Sequence, residues 1–264
     1  MMINSPFAII HIPHSSTKIP AAERESIVLT DDQLHEELVT MTDMFTDELF
    51  ASGNEHARKI IFPVSRLIVD PERFLDDELE PMSVKGMGVV YTKTSRDTPL
   101  REGLTPEQRA ILIDRYYKPH HSQFTQDTAD ALDTNNYCLI IDCHSFPSVP
   151  LPFELDQSPD RPEICIGADE FHTPERLQQS LVSLFNNSGF TTAINRPFSG
   201  SIVPLKYFQS NSRVHSIMIE INRKLYMDET TGERNSHFYE LMAKLHSIIA
   251  TFLIKASEVQ VNSK

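Results

Sequence analysis

Short apolar runs with little polar alternation recur along the chain: residues 7–12 (FAIIHI), 56–64, 138–141 (CLII), 163–167, 190–195 and 216–221 (SIMIEI), with a brief one at 89–92. Runs of this length and character suit strands buried on both faces of a sheet. Between them the period changes to three and four. Thr30-Asp31-Asp32 is a helix-start signature, with acidic residues in the first turn where the helix dipole favours them. The helix it opens is expected to run to Ser52 and close at Gly53, with Leu34, Leu38, Met41, Phe45 and Leu49 as its buried stripe. Thr105-Pro106 opens another, to about Leu132, which Pro119 should kink near His120-His121. Residues 173–187, closed by Gly189, and 235–254 complete the helices, and the tail 255–264 is expected to fray. Residues 76–88 and the proline-rich stretch 147–162 read as loops, the latter of a length that usually lines or covers a site. Strands alternating with helices argue for one three-layer α/β/α domain over residues 1–264, with a mostly parallel or mixed central sheet.

Three of the apolar runs end in residues that carry chemistry. The run at 138–141 should stop at Asp142-Cys143-His144-Ser145, and the run at 7–12 leads through Pro13 to His14. The run at 216–221 carries Glu220 near its carboxyl end, followed by Asn222-Arg223. In an open α/β sheet the carboxyl ends of the strands face the functional crevice. Two imidazoles and a carboxylate form the ligand set of a catalytic zinc site that leaves one position open, and a further Glu there serves as proton shuttle. Asp142 sits where it could orient an imidazole. On the first long helix Asp43 and Asp47 stand at i and i+4, one above the other; they are either solvated helix charges or a pair that needs a cation. Glu220 has the competing reading of a buried ion pair with Arg223.

Composition narrows the choice. The net charge of -13 disfavours binding to a phosphate backbone as the main task. Cys138, Cys143 and Cys165 form neither a CxxC pattern nor a disulfide framework, so buried free thiols in a reducing cytoplasm are expected. MMINSPFAII lacks a basic n-region, and no run approaches the ~20 apolar residues of a membrane span, so neither a signal peptide nor a membrane anchor is expected.

The segments IIHIPHSS at 9–16, TDMFTDELF at 42–50, SRLIVDPERF at 65–74, DCHSFPS at 142–148, NRPFSGS at 195–201 and IEINRKLYMDE at 219–229 together resemble the N-formylglutamate amidohydrolase family. The resemblance implies a zinc-peptidase-like fold related to zinc carboxypeptidases, and hydrolysis of the amide joining an acyl group to an amino acid. It implies Zn2+, or another divalent transition metal, as cofactor and a small N-acyl amino acid as substrate, N-formyl-L-glutamate first. His14 and His144 resemble metal ligands and Glu220 the catalytic Glu, with Asp142 and Ser145 beside them. The carboxypeptidase pattern has a Glu three residues after the first His, where this chain has Thr17. The third ligand is therefore expected at Asp43, with Asp47 behind it. Arg66 and Arg73 would clamp substrate carboxylates bidentately, or else pair with nearby Asp70, Glu72, Asp76 and Asp77. Arg196, Arg223 and Tyr226 are further candidates for that pocket. The chain departs from the family pattern at Glu72, where an Asn is usual, and at Ser199, where Gly-Gly is usual. A metallocarboxypeptidase or deacylase acting on peptide-like substrates, and a non-catalytic acyl-amino-acid-binding protein, remain as alternatives.

Overall fold

The computed structural model describes residues 6–51 and 57–261. In chain order the elements are β1 (Ala8–Ile12), α1 (Ala21–Arg24), α2 (Asp31–Met41), α3 (Thr46–Ala51), β2 (Ala57–Ile61), α4 (Pro106–Leu112) and α5 (Lys118–Asn135). Then follow β3 (Cys138–Phe146), β4 (Ile164–Gly167), α6 (Glu175–Asn187), β5 (Thr192–Ile194), β6 (Val214–Asn222) and α7 (Phe238–Val261). The six strands form one mixed sheet in the order β2-β1-β3-β6-β4-β5. β2, β1, β3 and β6 run parallel, while β4 is antiparallel to β6 and carries β5 parallel to itself.

Helices cover both faces. Ile10, Ile141, Cys143, Ile217, Ile219 and Ile221 point to one face and pack with Leu49 and Phe50 of α3, Leu181 and Phe185 of α6, and Leu245 and Ile249 of α7. Ile9, Ile140 and Val214 point to the other and pack with Phe124, Ala131 and Leu132 of α5. Because side chains alternate along a strand, the second face continues from Ile9 to His11 on β1, and from Ile140 to Asp142 and His144 on β3. On β6 it passes from Ser216 through Met218 to Glu220. Its lower half is apolar core and its upper half is polar. The three cysteines are buried and free. Among the described residues no helix is long and apolar enough to cross a membrane.

Several expected boundaries move, each for a local reason. β3 does not stop at Ile141: it is paired with β6 through Phe146, so Asp142 and His144 lie inside the strand. The helix expected to span 31–52 breaks after Met41, because Thr42 is extended and Phe45 sits in the left-handed region (φ 66°). The Asp43 backbone N–H donates instead to His14 O at 3.0 Å. Asp43 and Asp47 are thus not stacked on one helix. Residues 89–92 form no strand; Val89, Val90 and Tyr91 are core residues of a loop, with Asp70 N–H donating to Val89 O. A π-helical turn at Ile113–Tyr117 precedes Pro119, which begins α5 without breaking the rod. α7 continues to Val261, so the tail is helical beyond residue 255. His56, Ser52 and Gly53 lie outside the described residues.

Candidate metal centre

The site is built where the polar half of the second face meets the loops after β1 and β2. His14 follows β1, Asp43 occupies the break between α2 and α3, and His144 and Glu220 are direct register partners on β3 and β6. All four are at least nine-tenths buried, and all line a cavity of about 380 Å³. The proline-rich loop 147–162 supplies Pro147, Leu151, Phe153 and Glu154 to its wall. Arg161 ties that loop together, donating to Pro147 O at 3.0 Å and pairing with Glu154.

Each imidazole faces carboxylates at both edges and is hydrogen-bonded at one. His14 Nε2 lies 2.9 Å from Asp70 Oδ1. Burial works against the Asp70 charge, yet Arg66, His14 and Arg73 outweigh it and hold the carboxyl well below the usual range. An ionised carboxylate only accepts, so His14 Nε2–H donates to Asp70 and Nδ1 is the ring nitrogen that faces inward. Among the described residues that Nδ1 has no hydrogen-bond partner, and it lies 3.6 Å from Asp43 Oδ2. His144 Nδ1 lies 3.1 Å from the same oxygen. At its other edge Nε2 is 3.1 Å from Asp142 Oδ1, though without hydrogen-bond geometry, and 3.4 Å from Glu72 Oε2. Burial disfavours an imidazolium at His144, but Glu72, Asp142 and Asp43 together push it well above its ordinary value. His11 fixes Asp142 through a 2.9 Å contact from Nδ1.

The carboxylates thus draw a positive charge to the seat between the imidazoles, and an inward ring nitrogen without a hydrogen-bond partner among the described residues stands beside it. Those features fit a divalent cation. Two carboxylates flank the imidazoles. Asp43 lies on the Nδ1 edges, while Glu72 lies on the Nε2 edges, 3.7 Å from His14 and 3.4 Å from His144. His14, Glu72 and His144 can offer ligand atoms within 4.8 Å of one another. Asp70 and Asp142 stand close to the two Nε2 atoms, and Asp43 is the carboxylate that reaches both Nδ1 atoms. Arg223 Nη2 donates to Asp43 Oδ1 at 2.9 Å, and burial opposed by the His14 and His144 contacts and by Arg223 leaves Asp43 well below its usual range.

Glu220 behaves oppositely. Burial, with Asp43 and Glu72 nearby, lifts its carboxyl to about 8 against the pull of His144 and Arg223. Its Oε2 has no hydrogen-bond partner among the described residues. A carboxyl poised near neutrality beside a cation seat is suited to moving protons.

The remaining candidates divide. Arg66, Arg73, Arg223 and Ser145 line the cavity. Arg66 grips Asp70 through Nη2 (2.7 Å) and Nε (3.2 Å), whereas Arg73 Nε lies 3.5 Å from it and makes no hydrogen bond. Arg196 is not brought to the cavity: it is exposed and holds Ser158 and the Asp160 carbonyl of the proline-rich loop. Tyr226 is fully buried against Phe238, and Asp47 sits on α3 beside Glu48; neither lines the cavity. Asp70 and Glu72 are legible in the sequence only as partners for Arg66 and Arg73, a pairing that Asp70 makes, and Glu72 as a departure from the family pattern; the place of these two and of His11 beside the imidazoles carries no sequence signal.

Comparison with known proteins agrees with the architecture. The profile of a family described as N-formylglutamate amidohydrolase matches residues 6–227. An N-formylglutamate deformylase from Pseudomonas aeruginosa is 28% identical over 231 residues, covering 84% of this chain and 82% of its own. A crystal structure of N-formylglutamate amidohydrolase from Ralstonia eutropha superposes with a TM-score of 0.85 at 23% identity, covering 100% of this chain and 97% of its own. A gene product of Agrobacterium tumefaciens superposes at 0.66 with 18% identity, over 96% and 92% of the two chains.

Proposed function

This chain belongs to the N-formylglutamate amidohydrolase family, and on that premise we propose that it is a metal-dependent hydrolase of N-acyl amino acids, with N-formyl-L-glutamate cleaved to formate and L-glutamate as the reference reaction. The observation that carries the reading is Glu220, held near neutrality directly across from His144 in a cavity that also holds arginines. His14, His144 and Asp43 would hold the ion, with Asp70 and Asp142 fixing the rings and Ser145 bonded to Arg223 beneath them. When bound, Zn2+ or a similar cation would supply Lewis-acid polarisation of the acyl carbonyl and acidify the attacking water toward pKa ~7.

The chain's own residues do the rest. Glu220 accepts the proton of the attacking water through Oε2 and returns it to the leaving nitrogen, so one carboxyl serves both halves of the reaction. Arg73, whose Nε makes no hydrogen bond among the described residues, receives a substrate carboxylate, which a planar guanidinium pairs bidentately, while Arg66, already gripping Asp70, adds its positive charge to the same wall. Arg223 is committed to Asp43, Ser145 and Thr40 O, so it sets the Asp43 orientation and does not grip substrate. The partner is a small molecule; nothing in the charge pattern calls for nucleic acid, and a cytoplasmic setting matches the three free thiols. Zinc-loaded protein given N-formyl-L-glutamate should release formate and glutamate in equal amounts. Absence of both, with intact fold and bound zinc, would remove N-formyl-L-glutamate as the substrate, and turnover of no N-acyl amino acid would remove the hydrolase reading.

A further inference from the structure

The catalytic cavity ends at a wall formed by Glu72, Arg73, Ser199 and Met218, and the same four residues line a second cavity of about 360 Å³ on the far side. The register of β3 and β6 fixes the relation between the two. Asp142 pairs with Met218 and His144 with Glu220, all on one face, so the second cavity lies one alternate step down the strands, about 7 Å from the His144–Glu220 row.

Its chemistry differs from that of the first. Beyond the shared wall it is lined by Phe74, Tyr117, Ile202, Val203, Leu205 and Phe208, with His121, Asp142 and Ser201 as its polar members. Arg73 is its only arginine among the lining residues, and Tyr117 donates its hydroxyl to Arg73 O, so that tyrosine presents mainly ring. Phe74, Leu205 and Phe208 are 45%, 65% and 39% exposed, an unusual display of large apolar side chains around one opening. The uncharged half of the wall is Ser199 and Met218, and a methionine adapts its shape readily.

A formyl group carries only hydrogen beyond its carbonyl carbon and has no use for such a chamber. We propose that the second cavity is a subsite for an apolar acyl chain of several carbons, so that the substrates are N-acyl amino acids with larger acyl groups than formyl. This rests on the hydrolase reading above. The substrate's carboxylates lie against Arg66 and Arg73, its carbonyl lies at the His14–His144 seat, and its acyl chain passes Ser199 and Met218 to reach Phe74, Ile202 and Phe208. Bond making and breaking are unchanged: water adds to the acyl carbon, the C–N bond breaks, and the amine leaves with the proton that Glu220 carries.

The experiment compares kcat/KM for N-formyl-, N-acetyl-, N-butanoyl- and N-hexanoyl-L-glutamate on zinc-loaded protein, wild type against Ile202→Phe and Leu205→Asp. Leu205 is largely exposed, so its variant keeps the test alive should Ile202→Phe fold poorly. Each methylene in an apolar pocket is worth on the order of tenfold in discrimination. The hexanoyl-to-formyl ratio should exceed ten in wild type and fall at least tenfold in the variants. In a parallel calorimetric titration, hexanoate should bind wild type more tightly than acetate, and Leu205→Asp should erase the difference. Formyl turnover with slower hexanoyl turnover overturns the chamber and leaves the hydrolase; an unchanged ratio in both variants does the same. Turnover of none of the substrates overturns the hydrolase, and the hexanoate titration then decides the chamber alone.

Discussion

At the scale of single residues, the site is a set of charges whose environments push them apart. Glu220→Gln keeps the shape of the carboxyl and removes its proton chemistry, so turnover should fall by roughly 10²–10⁴ while bound zinc stays at its wild-type level. The same variant isolates a pH effect in metal-free protein. A carboxyl raised from 4.5 to about 8 takes up protons on folding, so its contribution to stability declines as pH rises from 4.5 to 8. Denaturant unfolding of metal-free wild type and Glu220→Gln should therefore diverge across that window, the variant becoming the more stable by on the order of a few kcal/mol near pH 8. Parallel curves would contradict the raised carboxyl. Asp43 and Glu72 are separated by a second pair of variants. Asp43→Asn should lose zinc and also weaken the fold by about 3–5 kcal/mol, because it leaves Arg223 buried without its counter-charge. Glu72→Gln should keep zinc. The reverse pattern in metal analysis would move the third ligand to Glu72.

At the scale of elements, what the sequence showed and what it hid have physical reasons. His14, His144 and Glu220 stood out because parallel buried strands read as apolar runs, and a polar residue within or just after one is conspicuous. The break that frees Asp43 was invisible, since Leu38, Met41, Phe45 and Leu49 keep helical spacing straight across it. What breaks the helix is non-local: Asp43 N–H bonds to His14 O, and Phe45 is held at positive φ against Phe238 and Arg234. The place of Glu72 and Asp70 beside the imidazoles was equally hidden, because a loop's course depends on partners such as Tyr91 and His14 that lie far along the chain. One glycine matters to the second cavity. A Cβ at Gly167 would lie 2.2 Å from Gly200 O and 2.4 Å from Met218 Cε, so β4 allows the 199–203 segment to close over β6. Gly167→Ala should cost about 1–3 kcal/mol by overpacking and, by shifting Met218, reduce turnover of long acyl substrates more than of formyl. Equal losses for both would detach that segment from acyl selection.

At the scale of the whole molecule, a mixed six-stranded sheet brings residues from both ends of the chain to one crevice: His14 lies on the first strand's exit and Glu220 on the last strand. The core beneath is apolar on both faces, so the polar half of the second face is the costly part of the fold. Its charges pair in part, yet among the described residues His14 Nδ1, His144 Nε2 and Glu220 Oε2 have no hydrogen-bond partner, as expected if a cation completes the site. The measurement that tests this most directly is zinc per chain by plasma mass spectrometry after reloading, for wild type, His14→Ala, His144→Ala and Glu220→Gln, with formate release followed on the same samples. The account requires about one zinc per chain in wild type and Glu220→Gln, none in either histidine variant, and formate from wild type alone. Formate release by a zinc-free wild type, or zinc retained by both histidine variants, would contradict it.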